Sequence, residues 1–157
     1  MNKSFLIFLV AFLVWPIDLA KAAHCALDDM QSCHSCPEVA KAIDLHNPDG
    51  GEYYKGAFWN GLYAAYRFDC LDIGRQLLDH KANPNLGGTS GSFLVTLVQA
   101  WPHDKLSINE KWVDLVKHYP IDPGWKNPWA DEGAAEIVAK GEVPVAYRAL
   151  WDKITSK

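Results

Sequence analysis

Apolar residues recur at helical intervals along most of the chain beyond residue 37. The clearest stripe, with intervals of one, three and four residues, comprises Ile108, Trp112, Leu115, Val116 and Tyr119. Such intervals place side chains on one face of an α-helix. Ser107 and Glu110 have the spacing of a capping box, in which each side chain accepts a backbone N–H. This helix is therefore predicted to begin directly after Ser107.

The same periodicity predicts helices in six other segments. They run from about Pro37 to Leu45, from Tyr54 to Tyr66, after Asp69, after a cap at Thr89 or Ser90, from Asn127 to Gly141, and from Pro144 onward. No comparable segment alternates between apolar and polar residues as a half-buried strand does. The sequence therefore predicts a nearly all-α protein.

The first 22 residues are predicted to be a secretory signal peptide that is absent from the fold. Lys3 precedes an uninterrupted apolar run of eleven residues, 5–15, and Ala20-Lys21-Ala22 has the small residues that signal peptidase reads. The run is shorter than the roughly 20 apolar residues that a membrane-spanning helix needs. An uncleaved membrane anchor is the alternative, but Pro16 and Asp18 interrupt the run.

Composition predicts one folded domain over residues 23–157. Of the 157 residues, 49% are hydrophobic and 22% are charged, which disfavours disorder. The formal net charge is −4 and becomes −5 without residues 1–22, which disfavours nucleic-acid binding and favours a basic partner. No second long apolar segment follows, so we expect no membrane insertion after signal cleavage. A leader of this kind is typical of bacterial envelope proteins, and the predicted location is the periplasm.

Four cysteines, Cys25, Cys33, Cys36 and Cys70, follow the predicted signal peptide. An even number in an oxidising compartment predicts two disulfides, with three pairings open. Because Cys70 is distant in sequence, one bridge is expected to tie an N-terminal segment, 23–51, to the helical body. The alternative is a redox pair or zinc site centred on Cys33 and Cys36. No strand–helix–strand pattern surrounds that pair and no second CxxC accompanies it, so we expect neither a metal nor another cofactor.

Two turns of similar sequence indicate an internal repeat. Ala82-Asn83-Pro84-Asn85 and Ile121-Asp122-Pro123-Gly124 lie 39 positions apart. Each follows the second helix of a predicted pair and precedes the first helix of the next. A period of this length is typical of stacked helix pairs.

With these turns and the helices before them, the chain resembles degenerate ankyrin repeats. The best-matching stretch, 72–85, has the paired leucines and the exit turn of an ankyrin unit, and Gly88 and Thr89 stand where a new unit would begin. The Thr-Pro-Leu-His signature is missing, and the spacing exceeds the usual period of about 33. The resemblance implies three stacked helix pairs over 52–157 that bind partners through their connecting loops. Another helical bundle or solenoid is the alternative.

Motifs for catalysis are absent from the sequence. There is no phosphate-binding glycine loop, no G-x-S-x-G and no H-E-x-x-H, and the six histidines lack ligand spacing. Glu52 beside two tyrosines could imitate a glycosidase acid, but no second carboxylate can be assigned to it. We therefore expect a protein that is not an enzyme.

Tryptophans at helix ends and in the connections favour partner binding, because tryptophan is enriched at binding hot spots. The expected contact loops are 83–91 and 121–129. The candidate partner-binding residues are Asn83, Asn85, Thr89, Trp101, Asp122, Trp125 and Trp129.

The predicted function is that of a periplasmic binding module that neutralises a partner protein by covering its active site. The general plan is similar to that of immunity proteins against type VI secretion effectors, so the partner would be a toxin or a cell-wall hydrolase. Two alternatives are an envelope protein with thiol-disulfide or metal chemistry at Cys33 and Cys36, and a scaffold for an endogenous envelope protein.

Overall fold

The computed structural model describes residues 25–99 and 105–156, and over these it contains seven α-helices and one three-stranded antiparallel sheet. In chain order a 3-10 turn, Met30–Ser32, precedes α1 Cys36–Ala42, β1 Gly51–Tyr54, β2 Ala57–Asn60, α2 Gly61–Arg67, α3 Leu71–Asp79, β3 Gly88–Thr89, α4 Phe93–Val98, α5 Leu106–Val116, α6 Ala134–Lys140 and α7 Val145–Thr155.

The sheet contradicts the prediction of an all-α stack of helical hairpins. Residues 51–60, expected to lead into and begin a helix, form the β1–β2 hairpin, and β3 pairs with Ala57 and Phe58 of β2. Lys55 and Gly56 join the first two strands with φ values of 48° and 81°. A two-residue turn with positive φ at both of its residues has a twist that matches the twist of the two strands it connects. The aromatic residues on both sides of the turn favour strands, so the fold is mixed α/β.

Helix beginnings also differ from several predictions. Ser92, not Thr89 or Ser90, caps α4 by accepting the N–H of Val95, since Thr89 belongs to β3. Helix α5 begins at Leu106 after Lys105, so Ser107 lies inside the helix and the predicted capping box is wrong.

Helices α1 and α6 are shorter than predicted, while the end of α6 and the start of α7 lie at or next to the predicted positions. Helix α1 ends at Ala42 rather than Leu45, and α6 begins at Ala134 because residues 127–130 form a turn. Gly141 ends α6 in the left-handed conformation, with φ of 79°, as predicted. Helix α7 begins at Val145, one residue after the predicted start at Pro144.

Three aromatic side chains form the centre of the core. Tyr66 of α2, Phe93 of α4 and Trp112 of α5 are fully buried and meet edge to face, with ring centroids 5.5–5.8 Å apart. Trp112 also covers Gly74 of α3, where a Cβ atom would lie 2.4 Å from the indole ring. Helices α3, α5 and α7 contact one another in succession, and α4 contacts α6 and α7. The core therefore fixes the helices from which the hairpin and the connecting loops extend.

A buried hydrogen-bond chain crosses this core. The Tyr66 hydroxyl donates to Asn109 Oδ1 over 2.8 Å, and Asn109 Nδ2 donates to the carbonyl of Leu97 over 2.8 Å. The neighbouring Tyr63 hydroxyl is also buried but has no hydrogen-bond partner among the described residues. Of these two buried tyrosines of α2, only Tyr66 has a hydrogen-bond partner for its hydroxyl among the described residues.

Two disulfides join Cys25 to Cys33 and Cys36 to Cys70. The prediction of two bridges, one of them tying the N-terminal segment to the helical body through Cys70, is confirmed. Cys33 and Cys36 belong to different bridges, so they do not form the redox pair considered from the sequence. The described ranges contain no helix long and apolar enough to cross a membrane.

Loss of the Cys36–Cys70 bridge, which closes the longer loop, is expected to reduce stability more than loss of the Cys25–Cys33 bridge. The bridges span 34 and 8 positions. On the chain-entropy account, replacing Cys36 and Cys70 together by alanine lowers the free energy of unfolding by about 4 kcal/mol, and replacing Cys25 and Cys33 by about 2.5 kcal/mol. Urea unfolding of the two double variants measures both losses, and a larger loss for the Cys25/Cys33 variant would contradict the expectation.

Tyr66→Phe and Tyr63→Phe are expected to have opposite consequences. Tyr66→Phe leaves the buried Asn109 Oδ1 without its donor and costs about 1–3 kcal/mol of stability. Tyr63→Phe removes a hydroxyl that has no hydrogen-bond partner in the described part of the chain, so at pH 7 stability stays equal or rises. Urea unfolding at pH 7 compares them, and equal losses would contradict the assignment.

Alkaline pH supplies a second readout for Tyr63. Burial raises the pKa of Tyr63 to about 12 from 10.0. The stability linked to a raised pKa is complete below the unfolded value and is lost as the pH rises from about 10 toward 12. Tyr63→Phe should therefore lose less stability over this interval than the unmodified chain.

Candidate protein-binding surface

Side chains from the hairpin and from the loop between α5 and α6 meet on one side of the molecule. We call this region the hairpin–loop surface and define it by Tyr53, Trp125, Asn127 and Trp129. Tyr53 belongs to β1, and the other three lie in loop 117–133. Loop 83–91 lies beside it, since the N–H of Asp122 donates to Asn85 Oδ1 over 2.9 Å. Both loops that the sequence singled out are therefore adjacent in space.

Asn127 is the residue that joins the two parts of this surface. Its side chain is 3% exposed, its Nδ2 donates to the Tyr53 hydroxyl, and its Oδ1 accepts the N–H of Trp129 over 3.0 Å. Gly91 has φ of 72°, and a Cβ atom there would lie 2.0 Å from Asn127 Nδ2. A glycine at this turn thus leaves room for the asparagine that holds the loop against the hairpin.

The aromatic side chains on either side of Asn127 are unusually accessible. Trp129 is 85% exposed and Tyr53 is 53% exposed, while Tyr54, which follows Tyr53 in β1 and points to the other face of the sheet, is 40% exposed. The Lys55 ammonium lies 5.0 Å from the centre of the Tyr54 ring, as in a cation–π contact. Large aromatic groups held exposed at fixed positions are typical of protein-binding hot spots.

The loop that carries Trp129 is braced on its C-terminal side as well. Lys126 bonds to the carbonyl of Asp131 and to the Glu136 carboxylate, and Glu132 pairs with Lys140. The N–H of Gly133 donates to Glu136 over 2.8 Å, which lowers the pKa of that carboxyl together with the Lys126 contact. Contacts on both sides of Trp129 therefore restrict the loop before any partner binds.

Residues that the sequence proposed for binding occupy different environments. Trp129 and Asp122 are exposed, while Trp125, Asn83 and Thr89 are half-buried. Asn85 is 6% exposed, and its side chain shapes the turn by bonding to Asn83 and Asp122. Trp101 lies outside the described residues.

Two members of the surface were missed by the sequence analysis. Tyr53 lies before a predicted helix. Asn127 lies in the expected contact loop 121–129, but it is predicted as a helix start and is not among the candidate contact residues. The one signal for Asn127 was its position two residues before Trp129, which is the spacing of an Asx turn. No local signal indicated its contact with Tyr53, because the two residues are 74 positions apart.

Negative charge is concentrated in the N-terminal segment. Residues 25–54 contain six acidic residues and one basic residue, Lys41, which gives a net charge of −5. The acidic residues are Asp28, Asp29, Glu38, Asp44, Asp49 and Glu52. The remaining described residues, 55–99 and 105–156, have eleven of each sign and are neutral overall. Any attraction of a basic partner by net charge is therefore directed to the part of the chain that includes β1.

A groove of about 450 Å³ lies beside the Cys36–Cys70 bridge. Its polar lining groups are Asp69 and Asp72, and Asp69 already accepts the indole N–H of Trp112 over 3.2 Å. The residues lining it include no histidine, serine or lysine that could act as a base or nucleophile. Over the described residues no three His, Cys, Asp or Glu side chains are grouped as a metal site.

Comparison of the chain with protein-family models, with curated proteins and with solved structures gave no match. The resemblance to ankyrin repeats accordingly stays a prediction made from the sequence, and the function has to be argued from the surface itself.

Asn127→Ala is expected to loosen the hairpin–loop surface. The change removes the donor to Tyr53 and the acceptor for the Trp129 N–H, and it should cost about 1–3 kcal/mol. Hydrogen exchange measured by mass spectrometry should accelerate in residues 121–130 and 51–54 but not in α7. Tyr53→Phe, which removes only the Tyr53 contact, should accelerate exchange less. Unchanged exchange in Asn127→Ala would contradict the assigned role.

Proposed function

We propose that the chain is an exported protein-binding module that inhibits a partner protein through the hairpin–loop surface. The partner that fits best is a secreted antibacterial effector, such as a cell-wall hydrolase, against which the chain acts as an immunity protein in the periplasm. The single observation that carries the proposal is the exposed Trp129 side chain on a loop that Asn127 holds in place.

Exposure and restraint of Trp129 together favour binding over a structural role. A tryptophan that stabilised the fold would be buried, whereas 85% of this residue is accessible. Binding does not have to order the loop, so less conformational entropy is lost when a partner covers it. Tyr53 adds a second aromatic contact at the same place.

The charge distribution supports a basic partner. A net charge of −5 in residues 25–54 attracts basic surfaces and speeds their encounter, most strongly at low salt. The two disulfides are suited to the oxidising compartment in which an exported inhibitor would work.

Inhibition would operate by occlusion. The braced loop would insert Trp129 into the mouth of the partner's cleft, and Tyr53 would cover its rim. This mechanism needs only shape complementarity and burial of aromatic surface, and no group on this chain has to react.

Co-expression tests the proposal. Each product encoded beside this gene is directed to the periplasm of a test bacterium, with and without this chain, and lysis is measured. We expect one such product to cause lysis that this chain prevents, and we expect Trp129→Ala to weaken the purified complex about 10- to 100-fold, as is typical of hot-spot tryptophans.

Val145→Ser is the matched control, because Val145 is 88% exposed on α7 and lies outside the defined surface. It should leave both rescue and affinity unchanged. Absence of rescue and of complex formation for every neighbouring product would overturn the proposal, as would equal effects of the Trp129 and Val145 variants.

A further inference from the structure

The outer edge of β1 is unpaired among the described residues. The strand order is β1-β2-β3, so β1 has β2 on one side only, and three of its four residues are exposed. Tyr54 and Ala57 flank the two-residue turn and form a hydrogen-bonded pair, and Glu52 and Trp59 form the next one. The backbone groups of Gly51 and Tyr53 must then point away from β2.

The outward-pointing N–H and C=O groups of Gly51 and Tyr53 have no backbone hydrogen-bond partner among the described residues. No turn or loop hydrogen bond in the described ranges uses the N–H or C=O of Gly51 or Tyr53. An exposed edge with free donors and acceptors can accept a further strand from another chain. Native proteins usually protect such edges, and here β1 carries only one charged side chain, that of Glu52.

Glu52 indicates the chemistry of the added strand. One of its carboxylate oxygens, Oε1, is buried and has no hydrogen-bond partner in the described part of the chain. A residue directly opposite Glu52 on an added strand would have its Cβ about 4.5–5.5 Å away, where opposite charges attract. A lysine or arginine at that position would compensate the carboxylate.

The same residue disfavours a second copy of this chain as the occupant. Two β1 edges related by a two-fold axis use all their outward groups only when Gly51 of each faces Tyr53 of the other. That register places the two Glu52 side chains directly opposite each other, where like charges repel.

We propose that the free edge of β1 binds an extended segment of the partner protein as an added strand, with a lysine or arginine opposite Glu52. This proposal rests on the proposed function, because it names the part of the partner that the chain recognises. Residues 25–54, with their net charge of −5, would draw the basic segment toward the edge.

Peptide display tests the edge without knowledge of the partner. Random nine-residue peptides are selected on the exported protein, and synthetic copies of the enriched sequences are titrated by calorimetry. We expect peptides with alternating apolar residues and one lysine or arginine. Because a strand points alternate N–H groups to each side, N-methylation at one set of alternate positions should weaken binding at least tenfold, and methylation at the other set should have little effect.

Two variants test the predicted attraction between the Glu52 carboxylate and the basic residue of the peptide. Glu52→Gln should weaken the basic peptide about three- to tenfold but not its norleucine analogue. Asp28→Asn removes one charge elsewhere in residues 25–54 and should have a smaller effect. Amide shifts of the isotope-labelled protein should move at 51–54 on peptide addition.

Several results would overturn the proposal: no enriched peptide, equal effects of the two methylation patterns, or shifts that exclude 51–54. A dimer that peptide addition dissociates would assign the edge to a second copy and would also overturn it. Failure here leaves the inhibition of lysis and its dependence on Trp129 unaffected, so the two proposals are tested separately.

Discussion

The burial of Tyr66, Phe93 and Trp112 against one another is the interaction on which the rest of the molecule depends. Each ring comes from a different helix, so their contact sets the positions of α2, α4 and α5 together. Strand β2 runs directly into α2, and the turn that carries β3 runs directly into α4. The hairpin and the turn that carries β3 therefore take their positions from the aromatic core.

Helix positions were largely predictable because their apolar stripes are long enough to identify a period. The hairpin was not, because Tyr54, Phe58 and Leu62 also have helical spacing. In the structure the first two belong to strands, and only Leu62 lies in a helix. The Lys55-Gly56 turn decided between these interpretations, since its positive φ angles end any helix that would include both aromatics. A local turn preference thus outweighed an apolar periodicity that continues from these three positions to Ala65 and Tyr66.

The surface itself was partly predictable. The repeated turns correctly indicated two loops that lie side by side. Several polar side chains of these loops, however, form hydrogen bonds within the molecule instead of facing solvent. Asn85 is buried between two turns, and both Nδ2 and Oδ1 of Asn127 form hydrogen bonds within the molecule. Exposure of an asparagine cannot be derived from its place in a loop, because one partner of each is distant in sequence: Asp122 for Asn85 and Tyr53 for Asn127. Asn127 holds the backbone at Trp129, whose side chain is exposed.

The Cys36–Cys70 bridge connects the acidic segment to α3, which belongs to the neutral remainder of the chain. In a reducing compartment the bridge opens, and the segment before β1 is then held only by noncovalent contacts, among them the hydrogen bond from the Asn83 N–H to Asp49 Oδ1. A copy that stayed in the cytoplasm would then hold its acidic part less firmly than an oxidised one. The covalent link therefore makes the attachment of the acidic segment depend on the redox state of its surroundings.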